Sequence, residues 1–458
     1  MPTNKPTLTR SAAAALLLAA SCAAQGAEPD TAKRQAAIDA VVRDISPQRI
    51  RGYVEKLVGF GTRHTMSETE SNTRGIGAAR RWIKAELERC GAAAGGRLQV
   101  AYDSHVHPVM ARLSKPTEIV NVVATLPGTQ AESKDRIYVV SGHYDSIVSD
   151  VMNAKDDAPG ANDDASGTAA VMELACTMAK HRFDATLVFM AVAAEEQGLL
   201  GAENWAKLAK QNNWNVAGMF DNDIIGNSRS DEGKVDDTQV RLFAEGIPSK
   251  DIPDTLRPLI ATGGENDTPT RNLARYVKET GERYVPNFKV RIVNRRDRYL
   301  RGGDHIPFLE RGFAAVRFTE NAEDFSHQHQ DLRTENGKQY GDLPAFMDFN
   351  YAAQVARVNA SALASLALAP ATPREVKVIT KNLTNKTDLA WAANGEPDLA
   401  GYRVVWRETT APDWQGAVFV GNVTSYTSAL SKDNVFFGVQ AVDRDGNLSP
   451  ATYPLPGR

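Results

Sequence analysis

Several short segments of this chain carry acids and histidines at spacings that suit a metal ion and an activated water. Ser141-Gly142-His143-Tyr144-Asp145 follows an apolar run. Extended residues two apart face the same way, so Asp145 can hydrogen-bond the ring of His143. A carboxylate on one imidazole nitrogen fixes the tautomer and frees the other for a metal. Pro159 to Gly167 holds adjacent Asp163 and Asp164 at the start of a helical pattern. Capping of free amides accounts for Asp164 or Ser166. It does not need two acids, and the flanking glycines imply close backbone approach. Ala193-Ala194-Glu195-Glu196-Gln197-Gly198 ends another apolar run. Carboxylates buried there would be costly without a cation or a proton. Neighbours on an extended segment face apart, so one acid can ligate while the other faces water. Phe220-Asp221-Asn222-Asp223 repeats the pattern, and Gly303-Asp304-His305, Glu320 and Phe325-Ser326-His327-Gln328-His329-Gln330-Asp331 come later. Singly, each has a plainer reading as a packed histidine, a helix cap or a solvated acid pair. Jointly they supply histidine and carboxylate ligands without thiolate, a set suited to hydrolytic zinc.

These residues sit at the ends of alternating strands and helices. Ile50 to Cys90 reads as helix, loop, helix, with Trp82, Ile83 and Leu87 at helical spacing. Strands are predicted at Ile119 to Leu126, Arg136 to Ser141, Leu187 to Ala194, Val216 to Ile225, Phe288 to Val293 and Phe313 to Phe318. Helices are predicted at Ala165 to Lys180, Gly198 to Lys210 and Asp348 to Leu368. The alternation predicts an α/β fold, a three-layer sandwich around a mixed, mainly parallel sheet. Open sheets of this kind build their sites past the strand ends.

The texture changes at Ala369-Pro370-Ala371-Thr372-Pro373. Beyond it come short strands with turn signals at Asn394-Gly395 and Asp443-Arg444-Asp445-Gly446-Asn447, which predict a C-terminal all-β sandwich domain. Leu399 to Val404 and Val439 to Asp443 resemble the fibronectin type III pattern over roughly 373–458. The expected organisation is a signal peptide at 1–26, a catalytic domain at 27–368, a linker at 369–373 and a fibronectin type III-like domain at 374–458. The Pro- and Ala-rich linker predicts that the catalytic domain stands alone and that the second domain is a passive spacer or stabiliser.

Among 458 residues, 53 are basic and 56 acidic, for a formal charge of -3, which argues against a nucleic-acid partner. Three cysteines exclude a disulfide scaffold and a Cys-rich zinc cluster. Cys90 and Cys176 read equally well as two buried thiols or one disulfide. Lys5 and Arg10 precede the apolar run Ala12 to Ala20, then small residues follow, the order of a secretory signal peptide. Cys22 leaves lipid attachment as a weaker reading. The expected location is therefore secreted or periplasmic, with no membrane span in the mature chain.

The ordered motifs over about residues 50–368 resemble the co-catalytic di-zinc aminopeptidases of the bacterial leucyl type, with glutamate carboxypeptidases as more distant relatives. The resemblance implies two Zn2+, with His143 and Asp223 holding one, Asp163 bridging and Glu196 holding the other. It implies Glu195 as general base and Asp145 as the partner of His143. It places the last ligand after the strand at Phe313 to Phe318. His327 has a His-x-x-x-Asp spacing to Asp331, and His329 sits in a Gln-His-Gln run; both qualify, with His329 slightly favoured. A tyrosine common before this histidine is replaced by Gln328 or Ser326. The pair Arg63-His64 also resembles relatives, without an assigned role.

The expected function is a zinc-dependent aminopeptidase acting on peptides with a free N-terminus. Carboxypeptidase and glutaminyl-cyclase-like activities are the neighbouring alternatives. Arg298 and Arg301 keep the first open, since it needs a group for the substrate carboxylate. A binding protein on an inactive scaffold would lack a ligand or base, and none is missing.

Overall fold

The computed structural model describes residues 28–248, 252–381 and 383–457. The export signal expected at 1–26 lies outside them. Among the described residues, no helix is long and apolar enough to cross a membrane.

An eight-stranded sheet forms the centre. Its strands are β1 (Gln99–His107), β2 (Thr117–Leu126), β3 (Arg136–His143), β4 (Thr186–Val192), β5 (Asn215–Asn222), β6 (Gln239–Ala244), β7 (Lys289–Val293) and β8 (Ala315–Glu320), in the order β1-β2-β4-β3-β5-β8-β6-β7. The central run β4-β3-β5-β8 is parallel. The pairs β1-β2, β2-β4 and β6-β8 are antiparallel. Every residue of β4 is buried, as its unbroken apolar run requires of a strand covered on both faces.

Helices cover both faces. On one side lie α1 (Ala32–Asp44), α2 (Pro47–Val58), α3 (Gly75–Ala93), α4 (Ala165–Met178), α7 (Pro269–Tyr284) and α9 (Phe349–Leu368). Their apolar residues share one large core with the sheet. On the other side, Trp205 of α5 (Leu200–Gln211) and Phe308 of α8 (Ile306–Glu310) pack against Val139, Val188 and Met190. A short helix α6 (Arg257–Ile260) and a hairpin, β9 (Arg333–Glu335) with β10 (Lys338–Tyr340), decorate this body. Cys90 and Cys176 form a disulfide joining α3 to α4, which decides between the two readings of those cysteines.

Two sheets make the C-terminal sandwich. One contains β11 (Arg374–Ile379), β12 (Thr387–Ala392), β15 (Ser425–Ser428) and β17 (Leu455–Gly457). The other contains β13 (Leu399–Glu408), β14 (Gly416–Gly421) and β16 (Val435–Asp443). Trp391 and Tyr402 meet at its centre, with ring centroids 5.3 Å apart.

The expectation that the catalytic domain stands alone is corrected by the contacts at the junction. Arg136 donates to the Ala369 carbonyl (2.5 Å), Glu396 accepts the Ala371 amide (2.6 Å) and Thr452 donates to the Pro373 carbonyl (2.9 Å). Across the junction, buried Asp267 pairs with Arg275 (3.1 Å) of α7 and Arg407 (2.7 Å) of β13. Arg136 also pairs with buried Glu396 (3.4 Å). A buried charge is tolerated only with such partners, so the two domains are packed as one unit.

Candidate metal centre

The parallel strands deliver their C-terminal ends to one place. His143 ends β3, Asp223 follows β5, and the turn after β4 carries Glu195 and Glu196. Asp163 precedes α4, whose start is pressed against β5: a Cβ on Gly167 would lie 1.9 Å from the Asn222 carbonyl oxygen. This is the close approach that the glycines around Asp163 and Asp164 imply. Asp164 caps α4 through the Gly167 amide (2.8 Å) and also accepts the His143 amide (3.0 Å).

Three overlapping groups of potential ligands result. His143, Asp163 and Asp223 form one; Asp163, Glu196 and His329 form another; His143 also lies with Glu195 and Glu196. His143 Nε2 is 3.1 Å from Asp163 Oδ1 and 3.9 Å from Asp223 Oδ1. His329 Nε2 is 2.8 Å from Asp163 Oδ2 and 2.9 Å from Glu196 Oε1. Asp163 thus turns one oxygen to each histidine. Glu196 Oε1 is buried, and its close approach to His329 Nε2 lacks hydrogen-bond geometry. Buried acids crowded around two imidazoles, with an orphaned carboxylate oxygen, fit zinc in both ligand type and charge.

His327 does not join these groups. It stacks on Phe346 with centroids 3.7 Å apart and lies 3.3 Å from Asp324. Asp331, read as its spacing partner, accepts the Ser149 hydroxyl instead (2.7 Å). The structure therefore puts His329, and not His327, beside Asp163. His305 is held between Asp221 (3.1 Å) and the Arg296 carbonyl (2.9 Å), outside the ligand groups.

The electrostatics follow from burial. Burial pushes Asp223 up to about 6, although Arg317 and His143 pull it down. Burial raises Glu195 well above the usual carboxylate range, with Asp223 and Glu196 adding to the effect. Burial depresses His329, but Glu196 and Asp163 outweigh it and raise the ring to about 11. Such crowding of shifted groups marks a functional cleft more often than a structural one.

The family profile for peptidase family M28 matches residues 121–341. A probable zinc metalloprotease of Leptosphaeria maculans is 50% identical over 420 residues, covering 92% of this chain and 97% of its own. This chain belongs to peptidase family M28. A second probable zinc metalloprotease, from Pyricularia oryzae, is 50% identical over 426 residues, covering 92% of this chain and 84% of its own. Among solved structures, LapA of Legionella pneumophila has the same fold, with TM-score 0.53 and 17% identity, covering 75% of this chain and 79% of that one. The M28 chain is thus a zinc metallopeptidase on the fold its strand pattern predicts.

Residues without an expected role hold this M28 site together. Arg63 is fully buried and donates to the carbonyls of Tyr144 (2.6 Å), Pro159 (2.6 Å) and Gly160 (2.8 Å), tying the His143 strand end to the Asp163 loop. Asp342 accepts the amides of Asn162 (2.9 Å) and Asp163 (2.7 Å). Arg317, buried inside β8, pairs with Asp223 (2.8 Å) and Asp297 (2.7 Å). A charge within the apolar run Phe313 to Phe318 was a readable signal for Arg317. Asp342 sits in a loop with no pattern around it. Gln328 donates to Asp163 Oδ2 (3.0 Å) and Glu320 accepts Asn162 Nδ2 (2.9 Å).

Proposed function

We propose that this M28 metallopeptidase is an exported aminopeptidase that uses two zinc ions and a glutamate base. The observation that carries this reading is Asp163, whose two oxygens face two separate ligand groups. His143 and Asp223 would hold one zinc with Asp163, and Glu196 and His329 the other. Zinc supplies Lewis acidity toward water and the scissile carbonyl when bound. Glu195 lies with His143 and Glu196 but not in the Asp163–His329 group, which leaves its carboxylate free to take the proton from the attacking water. It then hands that proton to the leaving amine.

Asp163, Glu195, Glu196, Asp223 and His329 line an open cleft of about 390 Å³. Its acids suit a substrate α-ammonium, which favours cleavage at a free N-terminus. Arg112, Arg298 and Arg301 line the same cleft, and this favours carboxypeptidase action as the second reading. Arg298 is already paired with Asp297 (3.4 Å) and Glu323 (2.8 Å), so Arg112 and Arg301 would have to serve. The Cys90–Cys176 disulfide supports export, because such bonds persist in oxidising compartments. The C-terminal sandwich is read as a fibronectin type III-like domain.

A panel of amino-acid p-nitroanilides, with N-acetylated controls, tests the reading. Hydrolysis that needs the free amine supports it. Turnover of blocked peptides from their C-terminus supports the carboxypeptidase. Elemental analysis at saturating metal should find two zinc ions per chain; one firmly bound zinc would favour a cyclase-like site.

A further inference from the structure

We propose that Arg112 and Arg301 bind a carboxylate on the leaving side of the scissile bond, so that the favoured substrates are short peptides carrying one there. The inference rests on the aminopeptidase reading and names its substrate class. The two arginines come from different loops, Arg112 between β1 and β2 and Arg301 between β7 and α8. Both line the cleft that holds Glu195 and the candidate ligands. Arg298, the third arginine there, is committed to Asp297 and Glu323. Among the described residues, neither Arg112 nor Arg301 pairs with a carboxylate. Arg112 donates to the Glu196 carbonyl (2.7 Å) and Arg301 to Gln328 Oε1 (3.3 Å), both neutral acceptors. Both residues are exposed, so their remaining N–H groups are open to a ligand in the cleft.

Those two bonds hold the guanidiniums beside the metal centre. Glu196 is itself a candidate ligand, and Gln328 donates to Asp163 Oδ2 (3.0 Å). An extended residue spans about 3.3–3.6 Å, so a carboxylate one residue beyond the scissile carbonyl comes within reach of groups held there. Guanidinium forks match carboxylates through paired, charge-assisted hydrogen bonds. The cleft of about 390 Å³ is of the size that encloses small molecules. Its charge is divided: the acids suit an α-ammonium and the arginines a carboxylate, which complements a zwitterionic dipeptide. In a dipeptide the bond next to the free amine is also the bond next to the free carboxylate, so acids and arginines act on one substrate. An acidic side chain on the second residue offers the arginines the same chemistry.

The test is steady-state kinetics on the full-length, zinc-loaded chain with X-Gly, X-Gly amide, X-Asp amide and N-acetyl-X-Gly, where X is the residue best released from the p-nitroanilide panel. In the wild type, kcat/KM for X-Gly should exceed that for X-Gly amide by about tenfold. A gain for X-Gly alone assigns the arginines to a free C-terminus; a gain for X-Asp amide extends them to an acidic side chain. In Arg301→Gln the preference for a carboxylate should fall toward parity, chiefly through a higher KM for the carboxylate substrates. Arg112→Gln should do the same, with zinc content measured because Arg112 also holds the Glu196 backbone. Equal turnover of all three free-amine substrates by the wild type overturns the inference and leaves the aminopeptidase reading standing. So does a preference that survives in Arg301→Gln and in zinc-replete Arg112→Gln. Hydrolysis of N-acetyl-X-Gly as fast as that of X-Gly overturns the aminopeptidase reading itself.

Discussion

Asp145 Oδ2 accepts the Glu196 amide at 3.2 Å, so the end of one strand grips the turn that follows its neighbour. Its Oδ1 accepts the Glu195 amide (3.3 Å), and its carbonyl oxygen lies 3.2 Å from His143 Nδ1. The expected carboxylate–imidazole bond is thus a backbone contact; the carboxylate oxygen itself lies 3.5 Å from the ring. Asp145 sets the position of His143, Glu195 and Glu196 together.

Asp145→Asn should therefore lower zinc affinity and turnover together, each by about 10–100-fold. The amide keeps one acceptor but presents an N–H to the other backbone donor. Chelator competition and steady-state kinetics measure both quantities, with circular dichroism reporting the fold. Wild-type zinc affinity with lost turnover would show that Asp145 acts on the chemistry and not through the ligands.

Glu195→Gln should keep both metals and lose turnover by at least about 10²–10⁴-fold, the usual worth of a positioned base. Glu196→Gln should instead lose one zinc and regain activity with added metal. Strand alternation cannot justify the contrast, because β4 ends at Val192 and Ala194 turns left-handed (φ 60°). The justification is now that Glu196 shares a group with Asp163 and His329 while Glu195 does not. Zinc content and kcat for both variants decide it; if Glu195→Gln is the one that loses zinc, the roles are exchanged.

The strands that carry the site were legible because β4 reads as an unbroken apolar run and β3 and β5 have buried apolar centres. Edge strand β1 was not, since its alternation runs against the usual sense: Tyr102 and Val106 face solvent while Asp103, His105 and His107 are half-buried. Helix α7 escaped as well. Its buried face includes polar Arg271, Asn272 and Arg275: Arg271 bonds Asn266 and Asn272 the Asp267 carbonyl just before the helix, while Arg275 reaches the Pro412 carbonyl of the C-terminal domain. The choice between His327 and His329 depended on loop geometry. His329 takes a left-handed backbone (φ 54°) that brings it to Asp163, and no local spacing encodes that.

Reduction of Cys90–Cys176, or the paired change to serine, should destabilise the chain. The bond spans 86 residues, and closing so long a loop is worth about 4–5 kcal/mol in the chain-entropy account. Chemical denaturation with and without reductant measures this. Zinc stoichiometry at saturating metal should stay unchanged, because neither cysteine belongs to the ligand groups.

Removal of residues beyond Ala369 should give a chain that aggregates or loses stability. It would strip Arg407 from buried Asp267 and Glu396 from Arg136. Arg407→Ala in the full chain isolates one of these contacts. Loss of one partner from a buried pair costs about 3–5 kcal/mol, although Arg275 remains beside Asp267 and limits the damage. A monodisperse truncated chain with full activity would restore the picture of an independent catalytic domain.

Asp184 gives the same junction a pH dependence. Burial, reinforced by Asp398 and Asp443, raises its carboxyl to about 6 despite the opposing Arg136. The unfolded chain would ionise Asp184 near the ordinary value of about 3.9. Between those two values the folded state holds more proton than the unfolded state, so stability falls as pH rises through the window. Above about pH 6 the ionised group opposes docking by a constant amount. Asp184→Asn removes that opposition, so the variant should unfold at a higher temperature than wild type at pH 7.5. The gap should narrow toward pH 5, where the wild-type carboxyl is largely protonated. Both chains are compared zinc-free at each pH, so that loss of metal in acid does not enter the difference. A gap that is equal at both pH values would mean that Asp184→Asn acts through packing and not through charge.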